Sequence, residues 1–418
     1  MAYTTVNKST EFFSANIYTG DGSSSRALTG FGHQPDWIYV KRRDGTNHPM
    51  INDSVMGATL WRYTSLIQGD DTSTQAITYG TDGLTWNGGN YDSNTNTYTY
   101  VLWSLKAGTS SGLSGGTITP SAYSINTTSK FGIYKYTGTG SNATIAHGLG
   151  VAPKVVWIKK TSGSEDWRVW FTPIGNTQYL TLNTTGAAST ASTVWNSAIP
   201  TSTVFSVGTD GGVNTSGETY IAYVWGEVPG FSAFGRYYGN NNDNGPYVYT
   251  GFKPAFVLVK NATTSNNWFL QDSKRLGYNG ANHLQKPNTN GADDTGTHID
   301  MLSNGFKTIN LSTNQTYNCG VDYRLRLSYG TKITGDYIYY YRNSRIHRSK
   351  LNIGGSACPQ SSVNGSFSYF EGNYVGLERD PNNSNVLFTL SWNQSRLKKI
   401  TVNAVSYTHL RAHETPEH

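Results

Sequence analysis

The chain has 418 residues, room for about two to four ordinary domains, and 36% of them are hydrophobic. Charged residues make up only 14%, while glycine contributes 46, tyrosine 29 and tryptophan 11, which excludes a coiled coil, a helical bundle and a charged disordered chain. The net charge of +6 is dilute and carries no block of like charges, so nucleic-acid binding is not expected.

The first ten residues, Met1 to Thr10, lack the apolar stretch of a secretory signal, and no apolar run approaches the roughly 20 residues of a membrane span. Cys319 and Cys358 are too few for a disulfide scaffold or a cysteine metal site, so folding in a reducing cytoplasm is expected. No cofactor is expected.

Three passages then resemble one another. They open with Phe12-Phe-Ser-Ala-Asn-Ile-Tyr-Thr-Gly20, Phe131-Gly-Ile-Tyr-Lys-Tyr-Thr-Gly138 and Phe231-Ser-Ala-Phe-Gly-Arg-Tyr-Tyr-Gly239. A second block follows each: Gly30-Phe-Gly-His-Gln-Pro-Asp-Trp-Ile-Tyr-Val-Lys41, Gly148-Leu-Gly-Val-Ala-Pro-Lys-Val-Val-Trp-Ile-Lys159 and Gly251-Phe-Lys-Pro-Ala-Phe-Val-Leu-Val-Lys260. The spacing of roughly 100 residues exceeds solenoid periods, so each copy is a whole domain. Proline suits the position before a strand, and the β-branched runs after Pro35, Pro153 and Pro254 predict buried central strands, each ended at the surface by its lysine. Asn52-Asp53-Ser54 and Gln271-Asp272-Ser273 follow, with Thr172-Pro173 in the second copy; the aspartates are expected to cap their own turns.

Two copies close with Thr81-Asp-Gly83 and Tyr98-Thr-Tyr-Val-Leu-Trp103, or Thr209-Asp-Gly211 and Tyr220-Ile-Ala-Tyr-Val-Trp225. Their alternation predicts strands with one buried and one exposed face, paired near the opening strand. Trp37, Trp103, Trp157 and Trp225 are the expected core aromatics. The predicted organisation is repeat 1 over 1–108, a Gly/Ser-rich linker over 109–130, repeat 2 over 131–229, a divergent repeat 3 over 230–345 that includes Tyr337-Ile-Tyr-Tyr-Tyr341, and a truncated fourth β unit over 346–403. The segment 404–418, with Val405-Ser-Tyr-Thr-His-Leu-Arg-Ala-His-Glu-Thr415, resembles a translated sequencing adapter, so His409, His413 and Glu414 are not a metal cluster.

Chemistry is scarce. Gly108-Thr-Ser110-Ser-Gly112 matches the hydrolase nucleophile elbow in letters, but lacks the strand and helix that would strain the turn. Gly138-Thr-Gly140 lacks the third glycine of a dinucleotide site. Asp70-Asp71, Glu165-Asp166 and Asp293-Asp294 are neighbouring acids that are expected to point apart, unlike a glycosidase pair. Asp92-Ser-Asn94-Thr-Asn96 and Asn240 to Gly245 supply oxygens without completing a calcium loop. His33 and His147 read as packed or surface histidines. Asn142-Ala-Thr144 is a glycosylation triplet of the kind this composition produces by itself. No catalytic, cofactor or metal residue is assigned. Aromatic side chains on Gly-rich sheets remain, able to stack on sugar rings or fill an interface.

The Thr-Gly-x-Gly turn, the Gly-Phe/Leu-Gly-x-x-Pro strand and the Asp-Gly turn before Tyr-x-x-x-x-Trp resemble tandem domains in virion proteins of tailed phages, especially tail-fibre and appendage proteins of marine environmental sequences. The likeness covers residues 12–310. It implies an all-β string of antiparallel β-sandwich, jelly-roll-like domains, located in the virion, with a structural or host-attachment role as a tail fibre, a spike or a capsid decoration protein. The expected partners are other virion proteins, a host-surface glycan and further copies of the chain in a trimer, with no membrane insertion and no enzymatic activity. The competing readings are a carbohydrate-binding adhesin module and a polysaccharide depolymerase.

Overall fold

The computed structural model describes residues 4–72, 75–88, 92–240, 244–275, 283–295 and 299–309, followed by the backbone of six strands between 332 and 401. It is all-β, and its chain divides into two compact units, Met1–Gln315 and Thr316–His418.

The first repeat contains β1 (Phe13–Thr19), β2 (Ser25–Thr29), β3 (Trp37–Arg42), β4 (Met50–Asp53), β5 (Leu60–Tyr63), β6 (Asp71–Thr72), β7 (Ala76–Gly80), β8 (Gly83–Asn87) and β9 (Thr99–Leu105). The second contains β10 (Ala122–Asn126), β11 (Phe131–Thr137), β12 (Ala143–Ala146), β13 (Val155–Lys160), β14 (Arg168–Phe171), β15 (Gln178–Thr181), β16 (Ser189–Thr190), β17 (Val204–Val207) and β18 (Thr219–Trp225). The third contains β19 (Asn244–Tyr249), β20 (Phe256–Lys260), β21 (Trp268–Asp272), β22 (His283–Leu284), β23 (Asp294–Thr295), β24 (Ile299–Leu302) and β25 (Gly305–Ile309).

The large sheet of repeat 1 runs β1-β9-β3-β4-β5-β6, and that of repeat 2 runs β11-β18-β13-β14-β15-β16 with β10 added beside β11. The opening and closing strands are antiparallel neighbours, as their aromatic patterns predict. In repeat 3 the corresponding pairs are β20-β21 and β22-β23. A smaller sheet faces each large one: β2-β8-β7, β12-β17 and β19-β25-β24. The first sandwich closes over Ile38, Val40, Trp61 and Leu102 from one sheet and Ile77, Leu84 and Trp86 from the other.

The opposite face of each large sheet is not solvent. Trp37, Tyr39, Ile51 and Trp103 of repeat 1 share one core with Ile133, Trp157, Val169 and Tyr223 of repeat 2 and Trp268 and Leu270 of repeat 3. The closing strands β9 and β18 are therefore buried on both faces, where alternation predicted one exposed face. Of the expected core aromatics, Trp37, Trp103 and Trp157 are buried, and Trp225 is half-buried against the shared core.

The pairing also resets the alignment of the repeats. Tyr39 and Trp157 lie opposite Trp103 and Tyr223, so Trp103 corresponds to Tyr223 rather than Trp225. Asp82 sits in the β7–β8 turn and accepts from the Gly30 and Gly32 amides, whereas Asp210 caps the short helix Gly211–Asn214 after β17. What recurs at that place is Asn94 and Asn214, both buried, whose carbonyls accept the Gly22 and Gly140 amides. Gly20 and Gly138 are required there, because a Cβ would lie 2.0 Å from Thr95 O or 2.2 Å from Thr215 O.

Other expectations shift as well. The 109–130 segment carries β10, and Thr109 pairs with Ile125, so it is partly sheet instead of free linker. Residues 231–240 form no strand; Phe231 packs edge-on against Phe12 instead. In the second unit, β26 (Lys332–Thr334), β27 (Tyr337–Arg342) and β28 (Arg345–Lys350) form one antiparallel sheet, and β29 (Tyr374–Asp380), β30 (Asn383–Ser391) and β31 (Arg396–Thr401) form another. Tyr337–Tyr341 pairs with its neighbours β26 and β28. Residues 404–418 lie outside the described residues.

Candidate functional surface and the inter-repeat contacts

The three lysines that end the Pro-led strands do not reach solvent: Lys41 and Lys159 are buried and Lys260 is half-buried. Lys159 Nζ donates to Ile67 O of repeat 1 at 2.9 Å, Lys260 Nζ to Thr185 O of repeat 2 at 3.0 Å, and Lys41 Nζ to Asn290 O of repeat 3 at 3.2 Å. The same carbonyls accept the amides of Glu165, Asn266 and Asn47. A return bond completes each contact: Asp70 N to Thr161 O, Ala188 N to Ala262 O and Asp293 N to Arg43 O. Each repeat binds the next through one equivalent patch, and the third binds back to the first. That is the heterologous, closing geometry of a cyclic trimer, here made within one chain.

Indole bonds repeat in two of the contacts. Trp167 Nε1 donates to Tyr63 O at 2.9 Å, and Trp268 Nε1 to Thr181 O at 3.0 Å. The third contact substitutes Thr64 Oγ1 to Pro287 O at 2.8 Å.

Two buried charge networks flank the shared core. Asp53 caps its turn by accepting the Val55 and Met56 amides, as expected, but its other oxygen accepts from Arg62 at 2.5 Å and from the Tyr223 hydroxyl of repeat 2 at 2.7 Å. Arg62 also pairs with Asp70 at 2.8 Å. Asp272 likewise caps Lys274 and Arg275, pairs with Arg275 at 2.7 Å and accepts Trp103 Nε1 of repeat 1 at 3.1 Å. Register places Phe171, not Thr172, at the equivalent point of repeat 2, and there the side chain packs on the shared core. Burial disfavours the Arg62 charge, yet Tyr223, Asp53 and Asp70 hold its pKa above the usual range; burial raises Asp70.

The acidic pairs do divide their directions. Asp70 turns to Arg62 and Asp71 to the Tyr63 hydroxyl; Asp293 meets Arg43 and Arg275 while Asp294 meets Lys286; Asp166 binds Arg168. His33 and His147 are both packed, and burial lowers both pKa values. His33 Nδ1 lies 2.8 Å from Thr10 O and Nε2 3.0 Å from the buried Ser104 hydroxyl. That places a serine next to a base, but both are shut from any substrate. His147 Nε2 lies 3.1 Å from Thr201 O, and its Nδ1 accepts the Leu149 amide. Burial likewise raises Asp36, which accepts the Ala107 amide. Ser110 lies exposed, followed by irregular chain. Part of the Asn240 to Gly245 run lies outside the described residues. Among the described residues no three or more His, Cys, Asp or Glu side chains gather to hold a metal, and no helix is long and apolar enough to cross a membrane.

Exposed aromatics concentrate in repeat 3: Tyr249 is 68% exposed, Tyr238 61% and Tyr247 44%. Sequence reasoning did not single them out. No local signal marks them: only the strand pairing shows that Tyr247 and Tyr249 stand where β2 of repeat 1 carries Ala27 and Thr29.

Fold and surface together define an all-β protein whose first unit is a closed ring of three sandwich repeats, with Tyr238, Tyr247 and Tyr249 exposed on the third among the described residues. Residues 8–324 match a domain of unknown function, DUF7483, and the chain belongs to that family. No curated protein and no solved structure matches it.

Proposed function

We propose that the protein is a non-enzymatic structural component of a tailed-phage particle, a tail fibre or spike that contributes to host attachment. The observation that carries this reading is the cycle of lysine contacts through Ile67, Thr185 and Asn290. Buried cations and acids that an enzyme would turn toward a substrate are spent here on joining repeats, Lys159 on the Ile67 carbonyl, Asp53 on Tyr223 and Asp272 on Trp103. A body braced in this way suits a mount that transmits force and displays a surface. The motif likeness to phage appendage domains points the same way.

Three-fold closure inside one chain also removes the need for two further copies to complete the ring. A monomeric ring is the expected state, read by light scattering at micromolar concentration.

Antiserum against the recombinant protein, applied to purified tailed-phage particles whose genome encodes this chain, tests the assignment by immunogold electron microscopy. Labelled appendages support it. Labelling of bacterial envelopes, with particles unlabelled, favours the second reading, a carbohydrate-binding adhesin module, which the exposed tyrosines also suit.

A further inference from the structure

The three repeats agree where they hold the ring together and differ on the outer face of the third small sheet. There β19 is the edge strand, and Tyr247 and Tyr249, two residues apart, project from one face of it. Val248 between them faces inward against Phe306 and Met301. Large exposed aromatic rings contribute nothing to the core and promote association, so their placement calls for a partner.

Tyr247 is held in place. Its hydroxyl donates to Asn304 Oδ1 at 2.6 Å, and its ring end lies over Gly305, where a Cβ would come within 2.8 Å of the hydroxyl. Glycine at 305 is required first by the Val248 carbonyl, 2.1 Å from such a Cβ, and it also leaves room for the Tyr247 ring, much of whose surface stays open to solvent. Asn304 is itself exposed, and its Nδ2 donor has no protein partner among the described residues. A pre-positioned ring, a second ring one strand step of roughly 7 Å away and an amide donor beside them match a pyranose, which offers an apolar C–H face and hydroxyl acceptors.

We propose that Tyr247, Tyr249 and Asn304 form a binding site for a neutral saccharide, two rings of which stack on the two tyrosines. The inference rests on the host-attachment reading and names its contact surface.

The test is a glycan array of neutral hexose, hexosamine and deoxyhexose oligomers probed with the full chain, followed by titration calorimetry on the strongest hit. The expected result is binding that weakens at least about tenfold in Tyr249→Ala and in Tyr247→Ala, while Tyr249→Phe, which keeps the ring, binds like the parent. Circular dichroism melts confirm that the variants fold. A parent that binds a glycan with unchanged affinity in both alanine variants overturns the site and leaves the attachment reading standing. A parent that binds no glycan overturns the saccharide site, while the virion assignment stands or falls on the immunogold labelling. Concentration-dependent self-association that vanishes in Tyr249→Ala, without glycan binding, overturns the saccharide site in favour of a contact between copies.

Discussion

Lys159 of the second repeat donates its ammonium to the backbone carbonyl of Ile67 in the first, and the same strand-end lysine makes the same reach in each repeat around the ring. A lysine that ends a strand usually leaves for solvent with its stem lying on apolar surface. Here the neighbouring repeat covers that exit, so the head group takes carbonyls in place of water.

Lys159→Met removes one donor from the Ile67 carbonyl, which keeps the Glu165 amide, and one from the Lys160 carbonyl. The expected loss is about 0.5–1.5 kcal/mol, that of a hydrogen bond whose acceptor keeps another donor. Urea denaturation at neutral pH reads it, and a loss below about 0.5 kcal/mol would show that the contact is ornamental.

The pH profile should be unusual. Burial pushes Lys41, Lys159 and Lys260 down to about 8, while in the unfolded chain they keep their protons to about pH 10.4. Between pH 8 and 10 the unfolded state holds more protons than the ring, so stability rises with pH, by up to about 1.4 kcal/mol per unit for each fully buried lysine. Half-buried Lys260 contributes least. Below pH 8 both states are protonated and the slope disappears. Buried tyrosines act the other way: burial raises Tyr134, Tyr136 and Tyr223, so stability falls once unfolded tyrosines ionise above about pH 10. Urea midpoints measured from pH 7 to 10.5 should climb and then drop, and Lys159→Met should flatten the climb.

Arg62→Met strands the Asp53 and Asp70 carboxylates in the interior and should cost about 3–5 kcal/mol. Tyr223→Phe, which deletes the hydroxyl that donates to Asp53 and accepts from Arg62 Nε across the repeat boundary, should cost about 1–3 kcal/mol. A double-mutant cycle of Asp53→Asn with Tyr223→Phe should show coupling between the two repeats, and additive losses would deny it.

Removing residues 230–418 should not leave a stable pair of domains. Trp103, Trp37 and Tyr223 share their core with Trp268 and Leu270, so a 1–229 fragment exposes that face. Dye binding to exposed apolar surface and rapid proteolysis are expected of it. A fragment that melts cooperatively at the full chain's temperature would show instead that the repeats fold as separate beads.

Gly138→Ala offers a local check. The added Cβ would stand 2.2 Å from Thr215 O, so the turn that clamps Asn214 must shift. A loss of about 1–3 kcal/mol is expected, against almost none for Gly235→Ala, where a Cβ meets nothing within 4 Å. Equal effects at the two positions would remove the close-approach argument.

Much of the architecture was legible in the sequence because its causes are local. Proline before β-branched runs placed β3, β13 and β20, and recurrence at domain length showed three equivalent copies. Asp53 and Asp272 were readable as turn caps, since capping needs only the next few amides. The tyrosine patch was not read, because Tyr-Val-Tyr at 247–249 is what a half-buried strand of this composition carries anyway; only the register against β25 shows which rings stay outside.

The linear order of residues by itself fixed the strand content, the repeats and the turn chemistry, all set by neighbours a few positions away. Tertiary structure alone decided that both faces of the large sheets are covered, that the lysines turn inward and that three sandwiches close into a ring. Those outcomes depend on surfaces about a hundred residues apart meeting in space, and such complementarity leaves no periodic mark on a single strand.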